Sequence, residues 1–386
     1  MDAPIKNPCL PLRRLLFTPG PATTTDNVKL ALITEDMSPR DPRFVKTLSA
    51  LRERITAIAG SPERYATVLL SSSGTGAVEA MLLAAARQPG KILIIDNGAY
   101  GQRMAEMART FGIAHAVWTS APTAPLDLQA LRAYLAAQTE SFAYLAVVHH
   151  ETTTGLLNDI HALGDLASEH GTRLLVDAMS SFAALPTDMD AVHCDMLASS
   201  ANKNLQGMAG AAFVIVRRAL VDELMAFPAR AFYLDILAEF KAVEASGQGR
   251  FTLPVQILAA LDRALSEFEE ESRALRLQRY QAHWGVLYER LAALGFSFLL
   301  EPGIQSRLLL AVVEPQWPGF DFEELVGRLK RSGIDIYPGK LPNVRYFRLC
   351  TVGDLTPADI QFTLARIEEY LESLAVEAAL PNMEVV

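Results

Sequence analysis

Residues 199–210, SSANKNLQGMAG, place a single lysine among small polar residues directly after a buried-looking apolar run. Most lysines in folded proteins are simply exposed to solvent. A lysine at the end of a buried strand can instead have its amine held in a partly desolvated pocket, where its pKa falls and it condenses with aldehydes to form a Schiff base. The residues that accompany Lys203 decide between these two interpretations.

A second candidate site lies in SSSGTGAVEA, residues 71–80, which follows the apolar run ATVLL and opens a helical pattern. Ser73, Gly74 and Thr75 place backbone N–H groups and hydroxyls at the start of that helix. Unpaired donors and the helix dipole favour an anion there, so the motif predicts a site for one phosphate group. The alternative is an ordinary capped helix start.

The same motif also resembles part of a dinucleotide fingerprint. Gly74 and Gly76 match its first two glycines, and Asp96 lies about 20 residues further on, where a ribose-binding acid would sit. Glu79 occupies the third glycine position, however, where a side chain obstructs close packing of helix on strand. The sequence therefore favours a single phosphate over a dinucleotide.

Three further residues follow predicted strands. Asp177 ends the run RLLVDAM, and a carboxylate there needs a cationic partner, such as a protonated pyridine nitrogen, or else caps the next segment. Tyr100, in NGAYGQR, is placed to stack on a flat ring or to cover the edge of the core. Thr152, in HHETTTGLL, offers a hydroxyl to a ring oxygen. The neighbouring His149 and His150 lack metal-ligand spacing and are interpreted as structural.

The order of these features along the chain is more specific than any one of them. A phosphate site, an acid and a lysine on successive strand ends are the parts that pyridoxal 5'-phosphate requires. The lysine holds the aldehyde, the acid keeps the ring nitrogen protonated, and the helix start holds the phosphate. The sequence therefore predicts this cofactor and no metal.

The composition is that of an ordinary globular protein: 386 residues, of which 50% are apolar and 20% charged. A net charge of -9 disfavours nonspecific binding to nucleic acid. Cys9, Cys194 and Cys350 lack the spacing of a disulfide framework or a zinc site, which favours a reducing compartment. We expect neither a signal peptide nor a membrane span, and hence a cytoplasmic protein.

The elements that must position these residues alternate between about residue 66 and residue 216. Short apolar runs such as KILIID, TRLLVDAM and AAFVIV read as buried strands, and stretches with helical spacing separate them. This alternation predicts an α/β fold with a mostly parallel sheet covered on both faces. After Pro254 a long helical region leads to a smaller α+β unit with predicted strands FSFLL, RLLLAVV, IDIYPG and YFRLC.

From FTPGP at residues 17–21 to YFRLCTVGDLTPADI near the C-terminus, the chain resembles the class V aminotransferases of fold type I. VHHETTTGLLNDI, VDAMSSFAALPTDM, SSANKNLQG, GRFTLP and IYPGK carry the resemblance most strongly. It implies a large domain with a seven-stranded sheet, residues 25–265, and a small C-terminal domain, residues 266–386. It also implies that residues 1–24 contribute to the active site and to a homodimer.

The resemblance also implies roles for individual residues. Lys203 would hold the cofactor and move the proton, and Asp177 would pair with the ring nitrogen. Arg348 would bind the carboxylate of the substrate, and Thr252 would reach the cofactor of the neighbouring subunit, so that the two active sites are shared. The residues expected to contact the cofactor are Ser73, Gly74, Thr75, Tyr100, Thr152, Asp177, Ser200, Lys203 and Thr252.

The implied reaction is amino transfer from 2-aminoethylphosphonate to pyruvate, with alanine- or serine-dependent transfer to glyoxylate or pyruvate as the alternative. Residues 35–44, EDMSPRDPRF, and Cys350 depart from the family pattern near the expected substrate site. The roles of Arg40, Arg43 and Lys340 toward a dianionic substrate stay open. A cysteine desulfurase, a nucleotide-binding oxidoreductase and a non-catalytic binding protein are the other functions considered.

Overall fold

The computed structural model of this protein describes residues 12–379, and the side chains of residues 12–374. Cys9, the predicted contribution of residues 1–11 to the active site, and the last residues of the predicted small domain therefore lie outside the described residues. The strands, in chain order, are β1 (Leu15–Leu16), β2 (Tyr65–Leu70), β3 (Ile92–Asp96), β4 (His115–Thr119), β5 (Tyr144–Val148), β6 (His150–Glu151), β7 (Leu156–Leu157), β8 (Arg173–Asp177), β9 (Cys194–Ser200), β10 (Ala212–Arg217), β11 (Leu309–Val313), β12 (Ile334–Asp335), β13 (Tyr337–Pro338) and β14 (Tyr346–Cys350).

The described residues also form twelve α-helices. They are α1 (Asp26–Leu30), α2 (Pro42–Ala59), α3 (Gly74–Ala85), α4 (Ala99–Thr110), α5 (Leu128–Ala136), α6 (Ile160–Glu169), α7 (Arg218–Met225), α8 (Ile236–Ser246), α9 (Val255–Glu271), α10 (Arg273–Ala293), α11 (Phe322–Arg331) and α12 (Pro357–Ala379), with a short 3₁₀ turn at Pro302–Ile304. Gly112 and Gly171 lie just after the ends of α4 and α6 and have φ of +61° and +63°, the left-handed conformation common after a helix C-terminus.

A seven-stranded sheet forms the large layer, in the order β2-β10-β9-β8-β5-β3-β4. β10 runs antiparallel to both of its neighbours, and the pairs from β9 to β4 are parallel. The predicted mostly parallel, seven-stranded α/β sheet is therefore confirmed. Since β2, β3, β5, β8 and β9 all point the same way, the loops that follow them meet at one edge.

Helices cover both faces of this sheet because its strands are apolar on both sides. Leu145 and Val147 of β5 belong to one buried cluster, which includes side chains of α2, α6 and α9. Tyr144, Ala146 and Val148 of the same strand belong to the cluster on the other face, with side chains of α3 and α4. The sheet is thus a rigid support for the loops at its edge.

The C-terminal part is an α+β unit built on an antiparallel sheet in the order β11-β14-β13. Trp284 of α10, Phe347 of β14 and Ile367 of α12 share its core. The N-terminal strand β1 pairs in parallel with β12, so residues 15–16 join this unit. The boundaries at residues 25 and 265 stay predictions.

Three local features differ from the sequence expectations. The long helical region is interrupted at Ser272, whose φ of +70° ends α9 and whose hydroxyl caps α10. FSFLL is not a strand and contributes one isolated bridge, from Phe298 to Val312. The run CDMLASSANK ends as a strand at Ser200, so Lys203 lies in the following turn rather than at the strand end.

Candidate active site

Lys203 lies in the turn after β9, close to the N-terminal segment. Its Nζ donates a hydrogen bond of 2.6 Å to the carbonyl oxygen of Pro19. A Cβ atom on Gly20 would overlap the Lys203 side chain, and Gly20 has a φ of +141° that other residues rarely adopt. Burial lowers the pKa of Lys203, and the charges of Tyr100 and Asp177 oppose this shift in part. The amine is therefore held in place and easier to deprotonate than a surface lysine.

Asp177 is the last residue of β8 and is buried. In the described chain its carboxylate accepts one short hydrogen bond, from the backbone N–H of Met179 at 2.9 Å. Burial is the main cause that raises the pKa of Asp177 to about 6; the charge of Glu151 adds to this rise, and the Met179 hydrogen bond and the charge of Lys203 oppose it. A buried carboxylate with a single backbone donor is stabilised in its charged form by a cation, and a protonated ring nitrogen is such a partner.

Tyr100 lies in the first turn of α4 and is partly buried. Burial raises the pKa of this phenol, but the Thr152 hydroxyl and the ammonium groups of Lys340 and Lys203 outweigh burial and lower it. The guanidinium of Arg103 lies 4.9 Å from the ring centroid. Tyr100, Thr152 and Lys203 are therefore neighbours, and stacking of Tyr100 on a cofactor stays a prediction.

The start of α3 has the features of an anion site. Ser73 is the N-cap residue, and its side chain makes no capping hydrogen bond. Ser73 and Thr75 are exposed, whereas the helix continues into the buried core at Ala77. A Cβ atom on Gly74 would overlap the Met179 side chain, which follows Asp177. The helix start therefore packs against the turn after β8 with its first donors free for an anion.

Ser200 and Thr252 occupy different surroundings. Ser200 is buried at the end of β9, and its hydroxyl donates a hydrogen bond of 2.9 Å to the side-chain oxygen of Asn202. Thr252 is exposed in the loop between α8 and α9. Its carbonyl accepts a hydrogen bond of 3.4 Å from Ser71, which is two residues from the helix cap. Contacts of either residue with a cofactor stay predictions.

Arg348 lies on β14 and connects the small domain to the edge of the large sheet. Its Nε donates to the carbonyl of Pro338 and its Nη1 to the carbonyl of Thr152, both at 3.0 Å. The side chain is buried. These two bonds fix the guanidinium beside Thr152. Among the described residues, they leave Nη2 as the guanidinium nitrogen available to a ligand.

Glu151 is a site residue that the sequence analysis did not single out. It is buried, and its carboxylate accepts hydrogen bonds from the N–H of Tyr100 at 3.1 Å, the N–H of Thr153 at 3.0 Å and the hydroxyl of Thr153 at 2.6 Å. A Cβ atom on Gly98 would overlap it. Glu151 therefore caps α4 from β6. The sequence feature that could have identified it is a carboxylate beside three threonines in HHETTTGLL.

His149 and His150 are both buried, and their structural role stays a prediction. His150 is held between the carbonyl of Ser180, 3.1 Å from its Nδ1, and the hydroxyl of Ser306, 2.8 Å from its Nε2. Burial lowers the pKa of His150 to about 4 and that of His149 to about 3. Both rings are therefore neutral, and no group of His, Cys, Asp and Glu within the described residues could hold a metal ion.

Asp96, the acid that a dinucleotide site would use, is the last residue of β3. The carboxylate of Asp96 accepts a hydrogen bond of 3.3 Å from the N–H of Gly98, so one of its acceptor positions is already used within the chain.

Cys350 is buried, and burial raises the pKa of its thiol to about 11. Burial also raises the pKa of Cys194. The two described cysteines are therefore protonated thiols, which disfavours a desulfurase and its thiolate nucleophile.

Of the three cations left open, the structure brings one to the site. Lys340 contacts the hydroxyl of Tyr100 at 3.3 Å. Arg43 instead pairs with Glu35 and Asp41 on the surface, and Arg40 is exposed.

Residues 12–379 contain no helix that is long and apolar enough to cross a membrane.

Comparisons with known proteins are consistent with this geometry. The family model described as aminotransferase class-V matches residues 29–339. The 2-aminoethylphosphonate–pyruvate transaminase of Salmonella schwarzengrund (strain CVM19633) is 42% identical over 357 residues, which cover 92% of this chain and 96% of that protein.

Two solved structures share the fold. The alanine–glyoxylate aminotransferase of Nostoc sp. superposes with a TM-score of 0.87 at 26% identity and covers 95% of this chain and 97% of its own. The pyridoxamine-pyruvate aminotransferase of Mesorhizobium loti has a TM-score of 0.83 at 21% identity and covers 95% of this chain and 94% of its own.

Proposed function

Because this chain belongs to the class V aminotransferase family, we propose that it transfers the amino group of 2-aminoethylphosphonate to pyruvate. The products would be phosphonoacetaldehyde and L-alanine. The observation that carries the choice of substrates is the 42% identity, over 92% of the chain, to a transaminase that is named for these two compounds. The fold and the site geometry support amino transfer in general.

We propose pyridoxal 5'-phosphate as the cofactor, because the residues at the sheet edge fit it. Asp177 is a buried carboxylate with a raised pKa that needs a cation. The start of α3 offers free donors for the phosphate. Lys203 is a restrained amine with a lowered pKa. When bound, the cofactor carries the amino group between donor and acceptor while its ring withdraws electrons from the reacting carbon.

Lys203 would supply both covalent attachment and proton transfer. Its amine is partly buried and directed by the Pro19 carbonyl, 2.6 Å away. A lowered pKa makes Nζ an effective base toward the substrate carbon next to nitrogen, and the same Nζ then returns the proton as an acid. The absence of a Cβ on Gly20 leaves the lysine room for this exchange.

The other residues would orient the ring and the substrate. Asp177 would keep the ring nitrogen protonated, with Tyr100 and Thr152 beside the ring and Ser73, Gly74, Thr75 and Ser200 around the phosphate. Arg348 would present Nη2 to the carboxylate of pyruvate, because its other donors already bind Pro338 and Thr152. An arginine held in this way loses little freedom on binding an anion.

We propose a homodimer with shared active sites that functions in the cytoplasm. Phe232 is 78% exposed and packs against Phe251, which precedes Thr252. Tyr233 contacts the same ring and is also exposed. An exposed aromatic patch beside Thr252 supports the placement of a second subunit there. Cys194 and Cys350 are unbridged, as in proteins of a reducing compartment.

A second candidate is amino transfer from alanine or serine to glyoxylate. It is favoured by the structural similarity to the Nostoc alanine–glyoxylate aminotransferase. The two functions differ in the anion that the donor carries, which is a phosphonate in one case and a carboxylate in the other.

Steady-state assays would separate the two functions. The purified enzyme, loaded with cofactor, is supplied with 2-aminoethylphosphonate, alanine or serine, and with pyruvate or glyoxylate. We expect the highest kcat/KM with 2-aminoethylphosphonate and pyruvate, and parallel double-reciprocal lines because donor and acceptor use one site in turn. Faster turnover with alanine or serine and glyoxylate would contradict the proposal.

A further inference from the structure

Lys340 is an exposed lysine that reaches the proposed active site from the small domain. Its Nζ lies 3.3 Å from the hydroxyl of Tyr100 and 4.5 Å from the centroid of the same ring. Its polar side-chain contact within the described chain is with this phenol rather than with a carboxylate. The ammonium therefore keeps most of its capacity to bind an anion.

The backbone around Lys340 is held rigidly. The hydroxyl of Tyr346 accepts hydrogen bonds from the N–H groups of Lys340, at 2.9 Å, and of Leu341, at 3.3 Å. The same hydroxyl donates to the carbonyl of Thr153 at 2.7 Å. A Cβ atom on Gly339 would overlap the Tyr346 ring. One buried phenol thus fixes the loop that carries Lys340 next to the turn that carries Thr152.

Arg348 is fixed at the same place. β13 pairs with β14 so that Tyr337 lies opposite Arg348, and Arg348 donates to the carbonyls of Pro338 and Thr152. Two cations of the small domain, Arg348 and Lys340, are therefore held around the turn at Thr152. One is buried and the other is exposed.

The proposed substrates explain the need for two cations. Donor and acceptor use the same site in turn, but pyruvate carries a carboxylate with one negative charge. A phosphonate carries a second negative charge near neutral pH, as a phosphate does, and has three acceptor oxygens. The one free nitrogen of Arg348, Nη2, can bind one oxygen of either anion, and the phosphonate, with its extra oxygen and second charge, leaves more to be satisfied by another cation.

We propose that Lys340 is a specificity-determining residue that binds the phosphonate of the amino donor, while Arg348 serves the anionic groups of both substrates. This inference rests on the proposed function. It predicts that removing the Lys340 charge weakens phosphonate binding much more than carboxylate binding. A lysine that only supports Tyr100 would change both to the same extent.

The test compares Lys340→Gln with the matched control Lys330→Gln, which removes an exposed lysine of α11. Both are prepared with cofactor bound, so that the phosphate site is filled. Binding of two unreactive probes, ethylphosphonate and propionate, is measured by titration calorimetry. We expect Lys340→Gln to weaken the binding of ethylphosphonate by about tenfold or more, as for loss of a hydrogen bond to a charged group. We expect the binding of propionate to weaken by less than about threefold.

The steady-state constants give an independent readout. We expect KM for 2-aminoethylphosphonate to rise in Lys340→Gln, and KM for pyruvate to stay near that of the control. Equal losses for the two probes, or unchanged ethylphosphonate binding in an enzyme that uses 2-aminoethylphosphonate, would overturn the role of Lys340 alone. A wild-type enzyme that neither binds ethylphosphonate nor uses 2-aminoethylphosphonate would overturn the proposed function as well.

Discussion

Two buried carboxylates on the same side of the large sheet have opposite surroundings. Glu151, on β6, accepts three hydrogen bonds from Tyr100 and Thr153. Within the described residues the carboxylate of Asp177, at the end of β8, accepts one, from Met179. Burial raises the pKa of both groups. The difference indicates that Glu151 is satisfied by its own chain and serves the structure, whereas Asp177 is left to be satisfied by a ligand.

The same contrast separates the two basic residues of the site. Arg348 uses Nε and Nη1 on backbone carbonyls, so the fold positions it before any substrate arrives. Within the described residues the side chain of Lys203 makes one hydrogen bond, to the carbonyl of Pro19, and the pKa of its amine is lowered. Groups with few partners are therefore concentrated at the turns after β8 and β9, where the chemistry is proposed. Groups with many partners hold the surroundings of these turns.

The largest expected effect is that of Lys203→Ala. We expect turnover to fall by at least about 10³-fold, because the variant loses both the covalent attachment point and the proton-transferring amine. The visible absorbance of the bound cofactor should change in the same variant. Amino-transfer rates and absorption spectra check this, with Lys330→Ala as the control. Retention of full activity would exclude the mechanism.

Asp177→Asn should have the next largest effect on activity. The amide cannot stabilise a protonated ring nitrogen, so we expect kcat to fall by about 10²-fold or more. We expect no loss of thermal stability, because the substitution removes a buried charge whose carboxylate accepts one hydrogen bond within the described residues. Parallel measurement of kcat and of thermal unfolding without cofactor tests both statements. Loss of stability with normal activity would reverse the assignment of Asp177 and Glu151.

The stability of the cofactor-free protein should depend on pH through Asp177. The folded pKa of about 6 lies above the ordinary aspartate value of 3.8, so between these values the folded state binds more protons than the unfolded state. The free energy of unfolding therefore falls as the pH rises from about 4 to about 6, by up to about 3 kcal/mol from this residue. Glu151, Lys203 and Arg103 also act on Asp177, through their charges.

Denaturant unfolding at several pH values would test this dependence. The difference between wild type and Asp177→Asn isolates the contribution of Asp177 from the other carboxyl groups. We expect the two proteins to diverge above about pH 4 in favour of the variant. Curves that stay parallel across this range would show that the cofactor-free chain satisfies Asp177 by itself.

Glu151→Gln should have the smallest effect on catalysis and a clear effect on stability. Its amide group would face N–H donors, so we expect a loss of about 1–3 kcal/mol in the free energy of unfolding. The proposed reaction uses no proton of Glu151, so kcat should fall less than in Asp177→Asn. Denaturant unfolding and kcat of the two variants, measured side by side, provide the comparison. A larger loss of kcat in Glu151→Gln would contradict it.

The sequence alone determined the sheet and the approximate ends of its strands, although β9 ends at Ser200, three residues before Lys203. Apolar runs separated by amphipathic stretches allow few arrangements other than a parallel sheet with covered faces. The segments that end or follow β2, β8 and β9 then had to lie at one edge of the sheet. This is why Asp177 and Lys203 could be proposed from the sequence as residues of one site. The edge strand β4, with its mixed exposure, was not predicted because it lacks a continuous apolar run.

Only the tertiary structure decided which charges are satisfied and which are free. The Tyr346 hydroxyl donates a hydrogen bond to Thr153, which is 193 positions away in the sequence, and the Lys340 amine contacts the hydroxyl of Tyr100, which is 240 positions away. No local pattern encodes such pairs, because hydrogen bonds depend on distance in space and not on spacing along the chain. The sequence supplied the reactive groups at one edge of the sheet, and packing of the small domain against that edge selected their partners.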